Sequence, residues 1–208
     1  MGLRDQLVRQ FGNPKGPLGR VAGFIMSHRS SNRERIAWAV SLLDVSPEDS
    51  VLEIGFGPGV GIRMLAERAV NGMVCGVDRS ALMLEPASRR NRKLIAAKRV
   101  QLTVASASSL PSFDRVFDKV LDVNTFQFWE NQGATLLALK KVVRPGGMIA
   151  LAHQPRNHGA TEKDAFAAGE RISGHLAASG YGEIRVEMFP TKPVATACVI
   201  ARSLPAAT

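Results

Sequence analysis

The chain has 208 residues, 45% of them hydrophobic and 22% charged, which suits one globular domain and needs no separate second one. No apolar stretch approaches the roughly 20 residues of a membrane helix, and the amino terminus MGLRDQLVRQFG lacks the apolar centre of a signal peptide, so a cytoplasmic protein is expected. A formal net charge of +9 admits a nucleic-acid or anionic-membrane partner, but the charge has to be located before it argues for either.

Residues 1–49 precede the first strand and read as a helical arm or lid on a core of residues 50–208. Within the arm GNPKGPLGR is a loop, VAGFIM a short apolar patch, and Ile36, Val40 and Leu43 recur at helical spacing as one apolar stripe. A lone amphipathic helix is marginal in water, so this stripe must pack on the core.

Residues 51–62 read VLEIGFGPGVGI: an apolar strand closing on an acid, then Gly55, Gly57, Gly59 and Gly61. Glycine tolerates positive φ and has no Cβ, so such a loop turns sharply and lets a ligand lie against bare backbone. A dinucleotide turn, G-x-G-x-x-G, needs a small residue in its last place, and here that place is Val60 or Ile62. Glu53 at the strand end would repel a pyrophosphate and attract an ammonium.

Next come a helix with the stripe Ile62, Leu65, Ala66 and Ala69, and a strand over 73–77, a βαβ unit with parallel pairing and a right-handed crossover. Asp78 ends that strand, where a carboxylate accepts both hydroxyls of a ribose; this fits any nucleoside cofactor. Arg79 and Met83 either flank an adenine or are a surface guanidinium and a core side chain. Pro86 is expected to kink or shorten the following helix. Arg89, Arg90, Arg92, Lys93, Lys98 and Arg99 crowd its end without interleaved aromatics, so a solvated helix end is preferred to a stacking platform for nucleic acid.

Strands are expected over 100–104, 118–123 and 148–152, with a helix marked by Leu136, Leu139 and Val143 and ended by Arg144-Pro145-Gly146-Gly147. Ala165, Gly169, Ile172 and Leu176 mark a last helix. Two final strands, one alternating through Ile184, Val186 and Met188 and one over 196–201, are joined by a short loop and pair antiparallel. Cys75 and Cys198 sit in apolar runs without metal-binding spacing and read as buried free thiols; no metal site is expected.

VLEIGFGPG, GVDRS followed by Met83, ASASSLP, FDKVLDVN and VVRPGG resemble, in order and spacing, the class I S-adenosylmethionine-dependent methyltransferases, particularly the small methyltransferase type 11 group. The resemblance covers residues 47–152, and the terminal hairpin extends it to about 202. It implies a Rossmann-like, doubly wound α/β fold with a seven-stranded, mostly parallel sheet and an antiparallel carboxyl-terminal hairpin. It also implies S-adenosyl-L-methionine as cofactor: Glu53 and the backbone of Gly55 and Gly57 around the methionyl moiety, Asp78 on the ribose, Ser106 and Ala107 bordering the adenine, and Asp122 to Asn124 at the amino-acid end. Many relatives carry Gly-Asp-Ala where this chain has Ala105-Ser106-Ala107, so a hydroxyl replaces a carboxylate at the adenine.

Methyl transfer from a sulfonium needs mainly a nucleophile held in near-attack geometry. His153, just beyond the fifth strand, is the candidate general base, though the chemistry also runs without one. His28 could roof the site, with Arg29 or Asn32 near the cofactor carboxylate; surface roles are the alternative for all three. DVNTFQFW lacks the N/D-P-P-Y/F pattern of nucleic-acid and protein amine methylation. Phe126, Phe128 and Trp129, with Phe24, Ile25 and Met26, either line an apolar acceptor pocket or are core. The expected acceptor is a small, partly apolar metabolite. RNA or phospholipid headgroups, with peripheral membrane contact, and a noncatalytic cofactor-binding role on the same fold are the alternatives.

Overall fold

A computed structural model describes residues 30–205. Five α-helices and seven strands follow in the order α1 (Ser30–Leu42), β1 (Ser50–Ile54), α2 (Val60–Arg68), β2 (Met73–Asp78), α3 (Ala81–Ala96), β3 (Val100–Val104), β4 (Phe117–Val123), α4 (Gln132–Val142), β5 (Val143–His153), α5 (Glu162–Ala178), β6 (Tyr181–Phe189) and β7 (Thr196–Ser203), with a 3₁₀ turn Phe126–Phe128 after β4. The expectations for Phe24, Ile25, Met26, His28 and Arg29 lie outside the described residues.

The strands form one sheet in the order β3-β2-β1-β4-β5-β7-β6. The first five pair in parallel, whereas β7 runs antiparallel to both β5 and β6, the latter as the short loop between the last two strands predicts. Strand order reverses between β1 and β4, so the crevice at their carboxyl ends is the switch point where an open α/β sheet takes a ligand.

Both faces of the sheet are covered, and the two-residue strand period sorts the core. On β5 and β7, Ala150, Ala152, Cys198 and Ile200 face α1, α2 and α3, while Ile149, Leu151, Val199 and Ala201 face α4 and α5. The arm's stripe is used as its spacing predicts: Ile36, Val40 and Leu43 are buried, each contributing about 1.5–3 kcal/mol by leaving water. No helix among the described residues is long and apolar enough to cross a membrane. Cys75 and Cys198 are buried and free.

Two local expectations are corrected. α3 runs its full 16 residues with Pro86 inside it, so the proline does not shorten the helix. Residues 144–147 do not form a turn ending a helix. α4 stops at Val142, and Val143 is already extended and paired with Phe117 at the start of β5; the register then slips to Lys119 against Met148, and Gly146 at φ +77° absorbs the irregularity. Val143 therefore packs from a strand, although its spacing places it on the helix stripe.

Candidate active site

β1 delivers Glu53 and then the glycine loop into the switch-point crevice. At Gly55, φ +75°, the amide donates to the Val77 carbonyl at 2.7 Å, and an added Cβ would overlap the Thr125 side chain. At Gly57, φ +48°, an added Cβ would meet no atom within 4 Å, so the loop presents bare backbone to open space there. The loop is fastened from behind by α3. Asn91, fully buried, donates to the Gly59 carbonyl at 3.0 Å and to that of Ala87 at 2.9 Å, and the Arg90 guanidinium donates to the Pro58 carbonyl.

Glu53 is 3% exposed. Burial above all, then the neighbouring Asp78 and Asp122, push its carboxyl well above the usual range, against the stabilising amide of Ile62. Its Oε2 has no hydrogen-bond partner. A Cβ at Gly61 would overlap its Oε1, so the fourth glycine makes room for the acid. A cationic group is what this carboxylate lacks.

At the end of β2, Asp78 accepts from the Gly57 amide at 2.7 Å through Oδ2 and from the Ser80 amide at 2.8 Å through Oδ1. Burial raises its pKa and these two amides oppose the rise. Each oxygen keeps a second lone pair for a ligand hydroxyl. Arg79 lies over the Phe128 ring, 5.7 Å from its centre, and Met83 is buried in the core among α1, α2 and α3. Beyond β3, the Ala105 amide donates to the Asp78 carbonyl at 3.0 Å; the Ser106 hydroxyl accepts from the Ser108 amide at 3.2 Å, and Ala107 is partly buried against the other core layer.

At the end of β4 the polar side chains hold the turn. Asp122, fully buried, accepts from the Thr125 hydroxyl, and from the amides of Thr125 and Phe126 at 3.2 Å each; burial nonetheless raises its pKa to about 7. Asn124, at φ +62°, donates its amide to the Ala152 carbonyl at 2.8 Å and accepts the Gln154 amide on Oδ1 at 2.8 Å, tying the ends of β4 and β5 together. Phe126 and Trp129 are buried together in the core, their rings 4.9 Å apart, so of these three aromatics only Phe128 is placed to meet a ligand.

His153 closes β5, its Nδ1 3.1 Å from Gln127 Oε1, while Gln127 Nε2 donates to the Asn124 carbonyl at 2.8 Å. With Oε1 accepting, Nδ1 carries the proton and Nε2 the lone pair. Burial first, then the charges of Arg171, Arg156 and Arg35, lower its pKa to about 4, so the ring is neutral at pH 7.

A family model described as "Methyltransferase domain" matches residues 51–147, from β1 through the β5 bulge. The uncharacterized methyltransferase YdaC of Bacillus subtilis is 29% identical over 88% of this chain and 97% of its own length. The chain is a class I S-adenosylmethionine-dependent methyltransferase. A demethylmenaquinone methyltransferase of Thermotoga maritima is 30% identical over 76% of the chain and 62% of that protein. The N-methyltransferase NodS of Bradyrhizobium japonicum, solved with S-adenosyl-L-homocysteine, shares the fold with a TM-score of 0.68 at 15% identity, covering 95% of this chain and 96% of that one.

S-adenosylmethionine is the methyltransferase's cofactor, and the site suits it: an orphaned buried carboxylate oxygen for an ammonium, a second carboxylate with lone pairs free for hydroxyls, and an uncovered glycine backbone between them. The crevice brings together Glu53, Gly55, Gly57, Asp78 and the Ser106 turn. The side chains of Asp122 and Asn124 turn inward. Among the described residues no cluster of His, Cys, Asp or Glu could hold a metal ion.

Sequence reasoning missed Thr125, Gln127, Asn91 and Arg35. Asn91 had a signal: it falls at i+4 and i+8 from Ala87 and Met83 on the buried stripe of α3, where a polar residue needs a partner. Thr125 and Gln127 act across the chain on Gly55 and His153, and nothing local marks such pairings.

Proposed function

We propose that the protein is a cytosolic methyltransferase that moves the methyl group of S-adenosylmethionine to a small, at least partly apolar acceptor. The observation that carries the cofactor assignment is the buried Glu53 carboxylate, whose Oε2 is unpartnered, at the start of a loop whose Gly57 backbone is open. Glu53 takes the methionyl ammonium, the Gly55 and Gly57 backbone borders the methionyl chain, and Asp78 takes the ribose hydroxyls. Arg79, Ser106 and Ala107 border the adenine, Met83 backs that side from the core, and Asp122 and Asn124 act by holding the β4 turn in place.

The bound sulfonium supplies an already activated methyl group. The chain's part is to hold the acceptor atom in line at about 3–3.5 Å and to exclude water. Where the acceptor sheds a proton, Nε2 of His153 receives it, with Gln127 fixing the tautomer. Phe128 and the stacked pair Trp38 and Phe189, 5.0 Å apart, supply apolar surface at this end of the sheet. The relative named a demethylmenaquinone methyltransferase supports a small-molecule acceptor.

Calorimetric titration with S-adenosylmethionine and with NAD tests the cofactor; saturable binding of NAD alone would sink the proposal. Labelled-methyl transfer into a host metabolite extract then finds the acceptor, and cofactor binding with no transfer to any acceptor would leave a noncatalytic binding protein. A second reading has one observation behind it: Arg63 of α2 joins Arg89, Arg90, Arg92 and Lys93 of α3 around an open groove of about 250 Å³. Methyl incorporation into bulk RNA or lipid extract, lost steeply with salt, would promote that reading over the small-molecule one.

A further inference from the structure

α1 carries a residue that its apolar stripe does not explain. Arg35 sits beside Ile36 on the core-facing side of the helix and is 1% exposed. Among the described residues its one hydrogen bond is a long one, Nη1 to Asn32 Oδ1 at 3.4 Å on the same helix, and its Nε has no partner there. No acidic side chain among the described residues lies within ion-pair distance of it. A buried cation without a counter-charge costs several kcal/mol, and a fold keeps one only where something offsets the cost.

Its position says what that is. Trp38, one turn further along α1, stacks on Phe189 at the end of β6. Phe189 pairs with Thr196, and the next residue of β7, Ala197, pairs with His153. The middle of α1 therefore lies near the end of the sheet where His153 closes β5. The charge of Arg35 bears on Arg156 and on His153, and Arg156 and Arg171 bear on His153 as well. The charges bearing on Glu53, by contrast, are those of Asp78 and Asp122. Arg35 thus belongs to the β5 side of the crevice, away from the carboxylates that suit the cofactor.

We propose that Arg35 is a specificity residue of the acceptor site and receives an anionic group, a carboxylate or a phosphate, on the methyl acceptor. Arg156 and Arg171 add to the attraction from the loop after β5 and from α5. The acceptor is then amphipathic, its anion held at Arg35 and its apolar part toward Phe128, Trp38 and Phe189. This deepens the methyltransferase proposal and rests on it for the identity of the site. It does not rest on it for the binding of an anion.

The test uses the full chain, with and without S-adenosylhomocysteine, and three probes: benzoate, phenyl phosphate and the neutral benzyl alcohol. Binding is followed by calorimetry and by the His153 ring resonances. The expected result is saturable binding of at least one anion, with a shift of the His153 signals and no such response to benzyl alcohol. In Arg35→Gln anion affinity falls about tenfold or more, the loss of one charge-assisted hydrogen bond, while S-adenosylhomocysteine affinity stays within about twofold.

Arg35→Met should raise Tm, because a buried charge without a partner is replaced by apolar volume. A merely structural arginine would lower it. Should Arg35→Gln fail to fold, the exposed Arg156→Gln serves, with a smaller loss of anion affinity expected. The proposal is overturned if neither anion binds, if the neutral probe binds equally, if anion affinity survives the substitutions, or if S-adenosylhomocysteine affinity falls tenfold in Arg35→Gln, which would place the guanidinium on the cofactor. Failure of S-adenosylhomocysteine to bind the wild-type chain overturns the methyltransferase assignment instead, and the anion arms still read on the free protein.

Discussion

Two stretches of the same sheet edge carry opposite fields. Over β1, β2 and β4 three carboxylates, Glu53, Asp78 and Asp122, are buried close enough for Asp78 and Asp122 to make Glu53 harder to ionise. Over β5, three guanidinium groups make His153 harder to protonate. Each half is destabilised alone and would be relieved by opposite charge, which suits the cationic cofactor on one side and the proposed anionic acceptor on the other. The fold itself is indifferent to the choice; the residues at the strand ends impose it.

The largest way to break this comparison is by pH. Asp122 is protonated in the fold up to about pH 7, whereas the unfolded chain releases that proton near pH 4. The native state therefore holds the extra proton between those values, and stability falls as pH rises from about 4 to about 7, by on the order of 3–4 kcal/mol from this group. Urea unfolding of the wild type and of Asp122→Asn across this window should show the difference between them changing with that slope; a parallel pair of curves would show that Asp122 does not titrate there.

Glu53→Gln comes next. Removing the charge from the cradle should weaken S-adenosylmethionine binding about 10- to 100-fold in calorimetry, while the free protein gains stability because a buried carboxylate is gone. Asp78→Ala should cost about 1.5–3 kcal/mol of cofactor affinity without unfolding the protein, and unchanged affinity would mean that the ribose lies elsewhere. The smallest expected effect sharpens the comparison by its absence. Arg89→Glu combined with Arg92→Glu should leave cofactor affinity within about twofold, since charges on the outer face of α3 are screened over a Debye length of about 10 Å; a large loss would mean that the basic groove and the crevice share a ligand.

The sheet was legible because its evidence is periodic: the alternation of β6, the stripes of α1 and α5, and the glycine turn that must follow β1. The positions of Glu53 and Asp78 in the proposed cofactor side were legible for a related reason, since both are placed by their strands alone. The acceptor side was not. His153 could be picked out by its place after β5, but Gln127, 26 residues away, fixes its tautomer, and the charge of Arg35 bears on it from another layer. The β5 bulge was missed because Arg144-Pro145-Gly146-Gly147 has the composition of a turn, while the pairing of Val143 with Phe117 just before it is a tertiary fact.

Gly61 has a consequence for redesign. Because a Cβ there would overlap Glu53 Oε1, positions 53 and 61 cannot be varied independently. A library that changes residue 61 alone samples mostly clashes, and one that shortens residue 53 alone leaves a hole against α2. Mutating the two as a pair, a shorter polar residue at 53 with Ala or Ser at 61, is the route by which the donor site can be reshaped for a cofactor analogue with a modified ammonium while the loop keeps its path.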